Sequence, residues 1–223
     1  MRNLGFDVAH LLAGSMLVLS FALLYQDRIT AMLNVFALQA VALSLSVAWQ
    51  SLIQDAPHLL VTALVALTVK AIVIPAALHR IVRRLGIHRE IEEVIGTGLT
   101  MLTGLGLVAL SMLLVLPAGE KVNIIVREDL AFALAIILLG LLMMITRRNA
   151  VSQIVGFMSL ENGLVLAASG ARGMPLVVEI SVAFSILIAF IVFGVFVFRI
   201  RERFDTVDVS ALDRFRGERK EHA

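Results

Sequence analysis

The sequence predicts an all-α, polytopic membrane protein of about seven transmembrane helices, and three observations carry that reading. Hydrophobic residues make up 60% of the 223 positions and charged residues only 16%. No soluble domain of this size hides so much apolar side chain. The apolar residues gather into seven runs, most near the roughly 20 residues that cross a bilayer as a helix. Arginines then collect at alternate ends of those runs.

The runs are 6–24, 29–53, 58–79, 94–116, 130–145, 151–169 and 176–198. The first resembles a signal peptide in place only. It lacks a strong basic leader, and Leu24-Tyr25-Gln26 stands where small residues would mark a cleavage site. It is read as a retained span. The second and third are long enough to cross with some tilt. The fourth contains GTGLTMLTGLG, 96–106, which looks like a nucleotide loop. No strand precedes it, so its small residues are expected to let helices approach closely. The fifth run is short.

Orientation follows from the basic residues. Connections after the first, third and fifth runs hold Arg28; Arg80, Arg83, Arg84 and Arg89; and Arg147 and Arg148. The tail adds seven more between Arg199 and Lys220, against Arg2, Lys121, Arg127 and Arg172 on the other side. The N-terminus is expected outside and the C-terminus in the cytoplasm. Residues 1–204 read as one transmembrane domain and 205–223 as a solvated or partner-bound cytoplasmic tail.

The chain has no cysteine, which removes thiolate metal sites, Cys-ligated iron–sulfur clusters and disulfides. His10, His58, His79, His88 and His222 show no ligand spacing and are expected at interfaces or in loops. No cofactor or metal is expected on this chain, and no nucleic-acid partner.

Three ionisable residues interrupt the runs: Lys70, Glu161 and Glu179. Charges inside spans are expensive and normally face protein or water, so each marks a candidate site. A carboxylate serving structure alone is the plain alternative. Ser, Thr or Asn would bond neighbouring helices at lower cost, which favours function for Glu161. Counting 1.5 Å per residue from the outer face puts Glu179 about 6 Å deep, Glu161 about 12 Å and Lys70 about 18 Å. Such spacing suits a stepped proton relay. Glu179 also lies near enough to its end to reach the interface. Lys70 is too far from its end to do so, and Pro75, five residues on, is expected to kink the helix and free a carbonyl. Asn162 follows Glu161, and Gln39 adds an amide within the second run. On the sixth run Ser152, Gly156, Ser159 and Gly163 form one stripe, read as a packing seam. Glu161 projects opposite, toward a partner protein or a cavity. The first and last three runs also echo each other, with Gln39 and Lys70 roughly where Glu161 and Glu179 stand.

At these residues the chain resembles hydrogenase-4 component E, a membrane subunit of group 4 [NiFe]-hydrogenase and formate hydrogenlyase-type complexes. The matching pieces are Arg148-Asn149, Gln153-Ile154, Gly156, Glu161-Asn162-Gly163, Val178-Glu179-Ile180, Lys70 with Pro75, and Val207-Asp208-Val209 in the tail. Residues 129–204 further resemble the K subunit of complex I and the C subunit of multisubunit sodium/proton antiporters, through Arg147-Arg148-Asn149, Gly156 and Asn162. Two departures stand out: that relative's helix-centre glutamates would fall on Met158 and near Ile186, and some hydrogenase-4 relatives carry an aspartate at Ser185.

The resemblance implies a subunit without catalysis of its own, in a bacterial or archaeal cell membrane. Antiporter-like and quinone-site-like membrane subunits and peripheral hydrogenase subunits would be its partners, and those would carry the [NiFe] and iron–sulfur centres. Proton translocation coupled to that redox chemistry is the expected role. A scaffold that moves nothing is the rival. An autonomous transporter fits less well, because no pair of Gly/Pro-broken helices marks a central substrate site.

Overall fold

The structure, a computed structural model, describes residues 2–85, 95–115, 117 and 124–170, with helical positions at 183–184, 187–188, 191 and 194. Every element is helical. A bilayer offers no partner for backbone N–H and C=O groups, so an apolar run must satisfy them within itself. The elements are α1 (Arg2–Tyr25), α2 (Ile29–Gln54), α3 (His58–Val65), a π-helical segment (Ala66–Val73), α4 (Ile74–Leu85), α5 (Thr97–Val115), α6 (Ile124–Thr146) and α7 (Ala150–Gly170). α3, the π segment and α4 form one continuous span. Among the described residues, six helices are long and apolar enough to cross a membrane, which makes the chain a multi-pass, all-α protein. Most of the seventh run, including Glu179, and the whole tail lie outside the described residues.

Two sequence expectations change. The fifth run is not short: α6 begins at Ile124, and its membrane-length stretch at Glu128. Its opening charges are accommodated because Glu128 and Asp129 meet His10 of α1. Of the glycines in the fourth run only Gly104 has close neighbours, at Leu139 and Phe21. A Cβ on Gly96, Gly98 or Gly106 would meet nothing within 4 Å, so the run is no seam along its length.

Local chemistry sets the turns. After α2, Asp55 adopts the left-handed conformation at φ 53° and donates its N–H to Ser51 O, closing the helix. Before α7, Asn149 Oδ1 accepts the Val151 N–H at 2.8 Å, capping one of the helix's orphan donors. Pro75 lacks an N–H, and in α geometry its ring would press on the carbonyl one turn back. The turn immediately upstream is widened, and Ile74 N–H bonds Val69 O, five residues back.

α6 and α7 touch backbone to backbone. A Cβ on Gly140 would lie 2.6 Å from Leu160 N, and one on Gly163 2.9 Å from Ala133 O. The predicted stripe therefore does pack, with Gly156 and Gly163 against α6, while Ser159 turns to α2. The apolar core splits into two clusters. One, rich in Leu, Ile and Met, includes Leu24, Leu33, Phe36, Ile74, Leu78, Leu139, Val155 and Met158. The other, rich in alanine, includes Ala13, Met16, Leu43, Ala63, Ala66, Ala133, Ile136 and Val165. On α1, α2, the third span and α7 a buried polar side chain stands between the two: Ser20, Gln39, Lys70, and Ser159 with Glu161 and Asn162.

Candidate functional site: a buried polar layer

The layer is a connected chain of side chains from four spans. Lys70 Nζ lies 3.2 Å from Glu161 Oε1 and donates to Asn162 Oδ1 at 2.9 Å. Asn162 Nδ2 donates to Gln39 Oε1 at 3.2 Å. Gln39 Nε2 donates to Ser20 Oγ at 2.8 Å and to Ser159 Oγ at 3.0 Å. Ser20 Oγ passes its own hydrogen to Met16 O at 2.9 Å. Lys70 is 2% exposed and Glu161 3%, while Gln39 and Asn162 are fully buried.

Each member is placed by its helix. Glu161 and Asn162 are consecutive, so they project about 100° apart and reach the third span and α2 from one turn of α7. The Gly156 and Gly163 contacts press the far side of α7 onto α6, which turns Glu161 inward. Lys70 sits in the middle of the π segment. Hydrogen bonds that reach back five residues are a rare helical geometry that recurs at functional sites.

Two expectations about Glu161 are corrected here. It does not face a partner protein or an open cavity, because the third span closes over it and supplies Lys70. Nor do the charged groups of Glu161 and Lys70 lie apart at different depths. Counting residues along straight helices ignores lysine's four-carbon stem and the widened turn, and the two charged groups meet directly. Pro75 lies just beyond the π segment, and its carbonyl accepts from or lies against His79 Nδ1 at 3.1 Å. Of the predicted site residues, Lys70, Glu161, Asn162 and Gln39 come together, Pro75 adjoins them, and Glu179 lies outside the described residues.

Sequence reasoning missed Ser20 and read Ser159 only as part of the packing stripe. Ser20 carried no signal beyond being a hydroxyl in an apolar run. Arg147, counted as a loop cation, is 1% exposed and donates from Nη2 to Leu24 O at the end of α1. An arginine capping carbonyls at a helix C-terminus is favoured by the helix dipole. Gln153 Nε2 holds the Arg147 carbonyl at 3.0 Å. His10, expected at an interface, forms a second acid–base cluster, with Nδ1 3.3 Å from Asp129 Oδ1 and Nε2 3.6 Å from Glu128 Oε2.

The chain has no cysteine, and among the described residues no group of three His, Asp or Glu side chains could hold a metal ion. What the layer can do is hold, and exchange, a proton between an amine and a carboxylate in a dry setting.

No family model matches the chain, and no solved structure matches it. Curated proteins do. An uncharacterized protein of Mycobacterium tuberculosis is 27% identical over 219 residues, covering 97% of this chain and all of that one. Hydrogenase-4 component E of Escherichia coli K12 is 28% identical over 215 residues, 96% of this chain and 99% of the relative. The protein of that name from Shigella flexneri matches to the same extent. This distant likeness, running nearly end to end in both partners, supports placing the chain beside hydrogenase-4 component E.

Proposed function

We propose that the chain is a membrane subunit of a hydrogenase-4 or formate hydrogenlyase-type complex, and that Lys70 and Glu161 pass protons in a movement driven by redox chemistry in other subunits. The observation that carries this reading is the Lys70–Glu161 contact at 3.2 Å, sealed between two apolar clusters. A buried amine and carboxylate in contact exchange one proton between an ionic and a neutral state. In low dielectric the balance responds to small charge movements nearby, which is what coupling requires. The full-length likeness to hydrogenase-4 component E supports membership of such a complex. On this reading residues 1–204 form the membrane domain, with 129–204 as a K-subunit-like unit, and 205–223 the tail. Antiporter-like and quinone-site-like subunits are the neighbours. The arginine asymmetry supports an N-terminus outside and a C-terminus in the cytoplasm.

One observation favours the rival, a scaffold that moves nothing: Lys70 and Glu161 are both almost fully sealed. Glu161→Gln separates the two, since it keeps shape and hydrogen bonding but cannot ionise. In inverted vesicles holding the whole complex, the relay reading expects normal complex abundance with sharply reduced redox-linked proton pumping. Normal assembly with wild-type pumping would leave the scaffold standing and end the relay.

A further inference from the structure

Gln39 is linked to Lys70 through Asn162, and the hydrogen-bond chain makes its amide direction depend on the pair. An ammonium has donors and no acceptor, so the Asn162 atom facing Lys70 must be oxygen. Asn162 then presents Nδ2 to Gln39, whose facing atom must be Oε1. Gln39 is left with Nε2 toward Ser20 and Ser159, and its two N–H groups meet those two hydroxyls. Every link fixes the next.

The proton transfer assigned to the pair weakens the bond that sets this direction. When Nζ–H of Lys70 breaks and Oε1–H of Glu161 forms, both groups become neutral, with the proton conserved within the contact. The neutral amine keeps two N–H groups and can still donate to Asn162 Oδ1, but that bond is no longer charge-assisted and the amine can also accept. Reversing Asn162 obliges Gln39 to reverse as well. Ser20 would then have to take its hydrogen from Met16 O and donate it to Gln39 Oε1. Partial reversal strands a buried donor against a donor, which is expensive where no water compensates.

We propose that Gln39, anchored by Ser20 and Ser159, is a positioning residue that locks Asn162 Oδ1 toward Lys70 and so favours the ionic form of the Lys70–Glu161 pair over the neutral one. This deepens the relay reading and rests on it for its purpose, while the lock itself is a property of the pair that can be read without any pumping. Asn162 is the transmitter, since it bonds both Lys70 and Gln39. The hydrogen bond that Asn162 offers the ammonium is charge-assisted, and bonding to a charged form favours that form.

The test is infrared difference spectroscopy on the purified whole complex at one fixed pH, reading the protonated-carboxyl band of Glu161. Lys70→Met defines the full band, because a carboxylate stranded without its cation in an apolar interior takes up a proton. The band must vanish in Lys70→Met with Glu161→Gln, which assigns it. Wild type is expected to show little of it. Gln39→Leu removes the Asn162 acceptor and is expected to gain an intermediate band. The double variant Ser20→Ala with Ser159→Ala frees the Gln39 amide with little change in volume and is expected to gain a smaller one. It decides the matter alone if Gln39→Leu fails to assemble. Ser44→Ala, which deletes a buried hydroxyl bonded to Ala63 O outside the chain, is expected to gain none. No band in the Gln39 and double-serine variants, an equal band in Ser44→Ala, or a full band already in wild type overturns the lock. Pumping by Glu161→Gln tests the relay separately, so either idea can fail while the other holds.

Discussion

At mid-height Lys70 meets Glu161 at 3.2 Å, with the two side chains 3% and 4% exposed. At the N-terminal end of the bundle His10 meets Asp129 at 3.3 Å and Glu128 at 3.6 Å, with His10 and Glu128 about two-fifths exposed. Both clusters join helices through an acid and a base at nearly equal distance. They differ in what surrounds them. The inner pair has Asn162, Gln39 and two serines arranged behind it and apolar clusters on either side, whereas the outer one has the Phe132 ring at 4.9 Å and an open flank. Distance alone therefore says little about what an ion pair contributes. Desolvation decides whether breaking it strands a charge or merely rewets one.

The largest effect should come from stranding the inner charge. Glu161→Leu leaves Lys70 facing an alkyl group among buried residues, a break that typically costs about 3–5 kcal/mol, reduced by whatever Lys70 recovers on losing its proton. The measurement is retention of the assembled complex through a heat or denaturant series in mild detergent. Lys70→Met combined with Glu161→Leu should regain most of that loss, since two apolar side chains strand nothing. A single variant as robust as wild type would mean that the site is wetter than its burial indicates.

A smaller loss is expected where α6 and α7 press together to seal the layer. Gly140→Ala puts a Cβ 2.6 Å from Leu160 N and 2.8 Å from Gly156 O. Those atoms are backbone and cannot rotate away, so the helices must part, at about 1–3 kcal/mol as for other overpacked sites. Gly106→Ala meets nothing within 4 Å and should be near neutral. The same stability series checks both. Equal effects at Gly140 and Gly106 would show that the seam does not hold the layer closed.

Much of this was legible in the sequence, and the reasons are physical. Lys70 and Glu161 announce themselves because ionisable groups are rare in apolar runs, and the Gly156/Gly163 stripe because helical periodicity is local. Which groups meet is not local: Lys70 and Asn162 are 92 positions apart, and Arg147 and Leu24 are 123 apart. Depth counted along a straight helix separated Lys70 from Glu161, and the π segment with a long side chain brought them together. Arg147 was hidden for a further reason. An arginine at the end of a run looks solvated until the carbonyl that takes its hydrogen is known. Ser20 gave no signal and Ser159 only that of the packing stripe, because a lone serine in a span commonly bonds its own helix, as Ser20 also does with Met16 O.

The smallest effect belongs to the outer cluster, and it tests the comparison from the other side. His10→Ala removes both contacts to α6 and the ring contact with Phe132. His10 and Glu128 lie on an open flank and Asp129 keeps 15% of its side chain exposed, so less charge is stranded than at the inner pair. Exposed pairs of this kind contribute about 0.2–1 kcal/mol, and added salt screens them over roughly a Debye length. The expectation is a loss of about 1 kcal/mol or less in the same detergent series, and smaller still when wild type and variant are compared at high salt. Asp129→Asn should fall below it, because an amide still offers an oxygen to His10. The inner pair should be insensitive to the same salt change, since counter-ions cannot reach it. If His10→Ala proves as damaging as Glu161→Leu, or if its effect survives high salt undiminished, exposure is not what separates the two clusters. The outer end would then be holding α1 to α6 by a desolvated contact of its own.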